Sequence, residues 1–249
     1  MLEEIIIAIR AYGRAHRFIV KHQLWKWIVI PGIIYAILFG AGFYFFWQSS
    51  AHVIDYFFSK TGLKTWLQQE EEGWLRFMFV FGQLVLHLIL MLLYFSWFKY
   101  LILIIGSPVF AWLSEKTEAI ICHEGPGSDS KKIFLNMLRG ILVAVRNSLW
   151  QTFFIICILF LSLIPVIGWA SPVLAVFMEC YYFGFSMIDY TQERRGLSIA
   201  GSGDFINGHK GLPMGNGMIF YLMHLALIAG WVLAPGYAII AATLSLQKD

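Results

Sequence analysis

The sequence predicts an all-α integral membrane protein: two long transmembrane helices, two hairpins of short helices that either half-penetrate the membrane or cross it, and amphipathic helices on the cytoplasmic side. Three observations predict it. Of 249 residues, 59% are hydrophobic and only 13% are charged, whereas soluble domains are nearer a quarter charged. Two apolar runs are long enough to cross a bilayer, which takes about 20 residues. Four shorter apolar runs come in two pairs, each pair joined by a charge-free interruption rich in Pro and Gly. Residues 1–249 read as one membrane domain.

Residues 2–22 read as an amphipathic helix. Ile5, Ile9, Tyr12 and Ile19 fall near one face, and Arg10, Arg14, Arg17 and Lys21 form a stripe on another. Such a helix lies in the headgroup layer or packs on the protein with its charged face solvated. Its early acids, with no small-residue cleavage site behind it, argue against a secretory signal. Residues 27–47 are the first span, uncharged and closed by Trp27 and Trp47, with Lys26 just outside. A polar stretch with Glu70, Glu71 and Glu72 follows. The second span, 77–105, is longer than a crossing requires, so it tilts or projects into the cytoplasm. Ser107-Pro108 then restarts a helix, with Ser as N-cap and Pro in the first turn. "CHEGPGSDSKK" is a loop, and 131–148 form another amphipathic helix.

Residues 149–188 form the first hairpin, interrupted at "IPVIGWASP". Residues 218–246 form the second, interrupted at "APG". Each apolar piece is short for a crossing. The hairpins therefore either enter the membrane part way and return, or make two short crossings each; both leave their flanks on one side. Of the 18 Lys and Arg, most lie in the segments on that side, which makes both termini cytoplasmic.

Four stretches, "SPVFAWLSEKTEAI", "LIPVIGWASPVL", "MIDYTQERRGLS" and "LAPGYAIIAATL", resemble in that order the marks of the CysZ-like sulfate permease family, which includes the eukaryotic etoposide-induced membrane proteins. The resemblance runs from about Tyr12 to Leu246. It implies a bacterial inner-membrane protein with two long spans and two half-penetrating helix pairs, moving sulfate inward for cysteine biosynthesis. In the permeases an anion contact lies before the first span, in a Gly-(Ile/Leu)-Arg-Arg segment. The matching residues here are Gln23-Leu24-Trp25-Lys26, and only Lys26 keeps a basic position. Glycine lets backbone N–H groups approach an oxyanion and arginine fixes its geometry with a fork; Lys26 keeps the charge without the fork.

Several residues are candidates for handling an anion. Lys26 is one. Ser171, in Ser171-Pro172, starts a helix inside a charge-free interruption, as Pro235-Gly236 does in the second hairpin. Helix N-termini offer unpaired N–H groups and about half a positive charge, and broken helices in two halves point to a transport site; the alternative is a plain tight turn. Arg194 and Arg195 are the others. Glu179 is the one acid well inside an apolar helix, and intramembrane charge is expensive enough to suggest a function. It is protonated, pairs with Lys99, or accepts from His87 or His224, and as a carboxyl it is the candidate for coupling proton movement. Asp189, Glu115 and Lys116 form a structural clasp in the cytoplasm or line a gate there. Asp189 sits near a helix C-terminus, which disfavours an acid, so it needs a cation: Arg194, Arg195 or Lys116.

Other classes fare poorly. Cys122, Cys157 and Cys180 have no ligand spacing and read as small buried hydrophobes, so no metal and no cofactor are expected. The net charge of +3 is too small to suggest nucleic acid. No nucleophile motif is present, and "GDFINGHKG" fails as a phosphate loop because His209 splits its Gly-Lys pair. The expected function is a permease for a small inorganic anion, sulfate first, supplying sulfur assimilation. The rival is a non-transporting scaffold organising lipid or protein partners. Half-spanning helices leave ends that need cover, which a homo-oligomer would supply.

Overall fold

A computed structural model describes residues 1–60, 73–122, 130–162, 164 and 167–247, and these are helical without any strand. The run Glu70, Glu71 and Glu72, most of the loop at 122–132, Pro165 and Val166 lie outside the described residues. The helices are α1 (Leu2–His22), α2 (Trp25–Lys60), α3 (Gly73–Cys122), α4 (Ser130–Ser162), α5 (Ser171–Arg194), α6 (Ile199–Gly208), α7 (Gly211–His224) and α8 (Leu227–Ser245), with a 3₁₀ turn at Ile167–Ala170. Five contain stretches long and apolar enough to cross a membrane: Trp25–Ser50, Val80–Leu101, Met137–Ser162, Gly168–Glu193 and Ile228–Ser245. Their outer faces carry exposed Ile30, Ile37, Phe45, Phe160 and Val173. In water this surface would drive aggregation; against lipid tails it costs nothing.

α1 uses its small residues to dock. Ala8, Ala11, Ala15 and Ile19 are buried against α7 and α8, while Arg10, Arg17 and Lys21 stay exposed. The helix stops because Gln23 turns left-handed (φ 53°, ψ 40°). The Gln23 N–H then donates to the Val20 carbonyl and the Leu24 N–H to that of Ile19, a Schellman closure. Glycine is the residue that enters this conformation without strain. Gln23→Gly should therefore raise stability by about 0.5–1 kcal/mol, the relief of left-handed strain less the entropy glycine costs the unfolded chain. A thermal melt of purified protein checks this; no change or a loss would mean the turn is unstrained.

Ser107-Pro108 does not restart a helix. α3 runs through it, and the reason is local. Pro108 has no N–H to give the Ile104 carbonyl, and the Ser107 hydroxyl donates to that carbonyl instead, at 2.9 Å. Nor does "APG" interrupt the second hairpin. Pro235 lies inside α8, and the turn falls earlier, at Leu225 and Ala226. The proline and glycine instead mark a close crossing. A Cβ on Gly32 of α2 would lie 1.9 Å from the Val232 carbonyl oxygen of α8, and one on Gly236 would lie 2.6 Å from the Ile28 side chain.

The two hairpins differ in reach. In the first, α4 and α5 have 33 and 24 residues, more than the short pieces the hydropathy suggests, because the amphipathic stretch at 131–148 continues straight into the apolar one. Its turn sits at the start of the second span, where Trp169 meets Phe81, ring centroids 5.1 Å apart. The second hairpin begins with a shorter helix. α7 has 14 residues, about 21 Å of helix. At its tip His224 bonds Tyr35, 2.8 Å away, and Tyr35 is only about 15 Å along α2 from Trp25. The imidazole Nδ1 donates to the Phe220 carbonyl, so Nε2 accepts from the tyrosine. The Trp231 indole N–H closes the turn on the His224 carbonyl.

α7 owes its place to glycine on two faces. A Cβ on Gly211 or Gly215 would strike α1, at 2.2 Å from the Met1 carbonyl oxygen and 2.8 Å from Ala8 Cβ. One on Gly217 would lie 1.9 Å from the Cys180 carbonyl oxygen of α5, and Gly184 of α5 would meet Pro213 likewise at 2.0 Å. Small residues spaced in this way let helix backbones touch inside a membrane. The core fills in around them: Phe183 of α5 stacks on Phe220 of α7 with centroids 3.6 Å apart. Cys180 is buried as expected, but Cys122 and Cys157 are exposed, Cys157 on the outer face of α4.

Candidate functional site

The polar residues that interrupt three of the apolar spans converge on one point. Lys99 of α3 and Glu179 of α5 are 4% and 0% exposed, and Lys99 Nζ lies 2.6 Å from Glu179 Oε2. Gln151 of α4, fully buried, bridges them. Its carbonyl accepts from Lys99 at 2.9 Å and from the Tyr100 hydroxyl at 2.7 Å. Its amide donates to Ser96 at 2.6 Å and to Glu179 Oε1. Tyr221 of α7 donates to Glu179 Oε2 at 2.5 Å. Four helices thus contribute one fully hydrogen-bonded cluster, the condition under which burying charge is tolerable. Of the partners open to Glu179, the structure selects Lys99. His87 packs instead against Phe46 and Trp47, and His224 is engaged with Tyr35.

A cavity of about 510 Å³ borders this cluster at the turn of the second hairpin, with Lys99, Glu179, Tyr221 and His224 in its wall. Most of the rest of the wall is apolar, from Phe39, Phe43, Met91 and Leu92 among others, with Tyr35 beside His224. Lys99 and Glu179 are the charged pair in the wall, so a charged solute entering would meet them there.

The remaining candidates are spread out. Lys26 is exposed at the start of α2 and makes no hydrogen bond or ion pair among the described residues. The N–H groups of Gln23 and Leu24 beside it are turned back into α1, so the backbone half of an anion contact is not offered there. Ser171 opens α5; it is fully buried, and its hydroxyl has no partner among the described residues. No helix begins at Pro235-Gly236. The Arg195 guanidinium donates to the Leu246 carbonyl at 2.6 Å, and Arg14 reaches the Leu244 carbonyl at 3.2 Å. Both place positive charge at the C-terminus of α8, where the helix dipole favours it. The Arg194 side chain lies outside the described residues.

Asp189 has its cation, and it comes from another helix than those considered. Arg139 of α4 holds it, Nη2 to Oδ1 at 3.1 Å, while Nη1 donates to the Leu197 carbonyl. Ser202 of α6 adds a bond to Oδ1 at 2.5 Å. Glu115 and Lys116, half-buried on α3, make no bond to it. The charge stripe of 131–148 contains Arg139, but nothing in its spacing singles it out from its neighbours. Arg139→Ala would strand a carboxylate that is 3% exposed, at a cost of about 3 kcal/mol. Arg139→Ala with Asp189→Asn should recover much of the loss in a thermal melt; an equal loss in both would mean the pair contributes nothing.

Among the described residues no group of His, Cys, Asp and Glu is placed to hold a metal ion. No curated protein matches the chain. A family model described as Sulfate transporter CysZ/Etoposide-induced protein 2.4 matches residues 11–235, which takes in α2 to α7, the buried Lys99–Glu179 pair and the first half of α8. The chain therefore belongs to the Sulfate transporter CysZ/Etoposide-induced protein 2.4 family.

Proposed function

We propose that the protein is a permease for a small oxyanion, sulfate first, in a bacterial inner membrane, with no covalent chemistry in its cycle. The observation that carries the reading is the Lys99–Glu179 ion pair, buried within the spans and set in the wall of a cavity. Ionisable groups inside membrane spans are costly, are retained as pairs and mark ion pathways, and this pair borders a cavity. The family supports the same reading. On this view the chain crosses with α2, α3, α4 and α5, dips part way with α7 and returns with α8, leaving both termini in the cytoplasm. Lys26 then marks the cytoplasmic approach, and Ser171, with its unpartnered hydroxyl at a helix start, marks the far one.

A second reading has its own support. With Gln23 and Leu24 folded into a helix cap and Lys26 alone at the anion segment, the chain suits a scaffold that presents basic α1 to lipid headgroups. Radiolabelled sulfate uptake into proteoliposomes, with and without a pH gradient, separates the two. The permease accumulates label above empty liposomes. No uptake of sulfate or of related oxyanions would sink the permease and leave the scaffold.

A further inference from the structure

The donors that hold the Glu179 carboxylate are indifferent to which oxyanion they hold. Lys99 Nζ and the Tyr221 hydroxyl converge on Oε2, and the Gln151 amide on Oε1. They come from three helices, while the carboxylate comes from a fourth. One charged and two neutral donors around a pair of oxygens make a small oxyanion site, here filled by a side chain. The filling cannot simply be removed, because Lys99 would then be a buried cation with no counter-charge. The site therefore passes from one anion to another and not from full to empty. The cavity touches Lys99, Glu179 and Tyr221 together, so an arriving anion and a departing side chain both have room.

We propose that the Glu179 carboxylate occupies the binding place of the transported oxyanion, and that a sulfate-class anion takes its place on Lys99, Gln151 and Tyr221 while the side chain turns into the cavity. The identity of the anion rests on the permease reading. The displaced carboxylate takes up a proton from the water that delivers the anion, since an ionised carboxylate costs more than a neutral acid among Phe39, Phe43 and Trp231. One proton is bound as one anion is bound. The titratable groups facing it are Lys99 and Tyr100 from α3, Cys180 from α5, Tyr221 and His224 from α7, and Tyr35 from α2; Gln151 of α4 is uncharged. Glu179 is the one carboxyl in the cavity wall, so it carries the proton.

Chemical rescue tests the assignment without relying on transport. Acetate is the fragment that Glu179→Ala deletes. Melting midpoints of purified protein are measured in acetate and in sulfate, at an ionic strength held constant with gluconate. In Glu179→Ala both anions should raise the midpoint saturably and compete with each other. Glu179→Gln keeps the side-chain volume, covers the case in which the alanine variant does not fold, and should respond to sulfate at about tenfold lower concentration than the wild type. Adding Lys99→Met to either variant should abolish the response. Rescue by acetate but not sulfate overturns the proposal, as does a sulfate response that survives without Lys99 or no response in Glu179→Gln. If the wild type also transports sulfate in those cases, the permease reading stands with its site elsewhere. Absence of wild-type uptake overturns both.

Discussion

Lys99→Met alone should be among the most destabilising single changes in this protein, costing about 3–5 kcal/mol, and Glu179→Gln in the same chain should restore most of it. Lys99 and Glu179 are 2.6 Å apart and almost wholly buried. Removing the ammonium leaves a carboxylate with two neutral donors, Gln151 and Tyr221, in an otherwise apolar setting. Removing both charges leaves a neutral amide in the carboxylate's place, able to bond the same two groups. Glu179→Gln by itself should be milder, because Lys99 still has the Gln151 carbonyl and the Glu179 main-chain carbonyl, 3.2 Å away, to donate to. Melting midpoints of the four proteins in detergent make a double-mutant cycle. Losses that simply add would mean the two charges do not sense each other.

That cluster also shows what was legible in the sequence. The membrane class and α1 follow from hydropathy and helical periodicity, and "IPVIGWASP" falls where α4 ends and α5 begins; the two long spans do not stand apart, since α4 at 33 residues is nearly as long as α2 at 36. Glu179 stands out because nothing else in its apolar stretch is charged, and Lys99 is among the partners it suggests. Gln151 and Tyr221 do not stand out, since one amide or phenol in an apolar run is common and its value depends on what a distant helix brings opposite. Arg139 is hidden for the same reason: α4 and α5 must pack before it meets Asp189. Pro and Gly mislead in two places. At Ser107-Pro108 a hydroxyl replaces the missing backbone donor, so the helix continues. At Pro235-Gly236 the pair makes room for α2, and the true turn, at Leu225 and Ala226, carries no breaker residue. Tertiary packing supplies the constraint there, and local sequence has no means of recording it.

Gly217→Ala should be more damaging than any loss of one methyl group, although it adds only a methyl. The new Cβ would sit 1.9 Å from the Cys180 carbonyl oxygen, and backbone on both sides cannot yield without moving a helix. Overpacking of this kind costs about 1–3 kcal/mol where side chains can adjust; between two backbones the upper figure is the expected minimum. The displacement has a second effect. Tyr221 is one turn further along α7, so pushing α7 from α5 draws its hydroxyl away from Glu179 and takes one of three donors from the carboxylate. Gly217→Ala should therefore lower both the melting midpoint and sulfate uptake. Gly203→Ala is the control. It lies inside α6, its Cβ would meet nothing within 4 Å, and alanine there should stabilise by about 0.5–1 kcal/mol. If the two substitutions shift the midpoint alike, the close α5–α7 crossing is not what holds the cluster together.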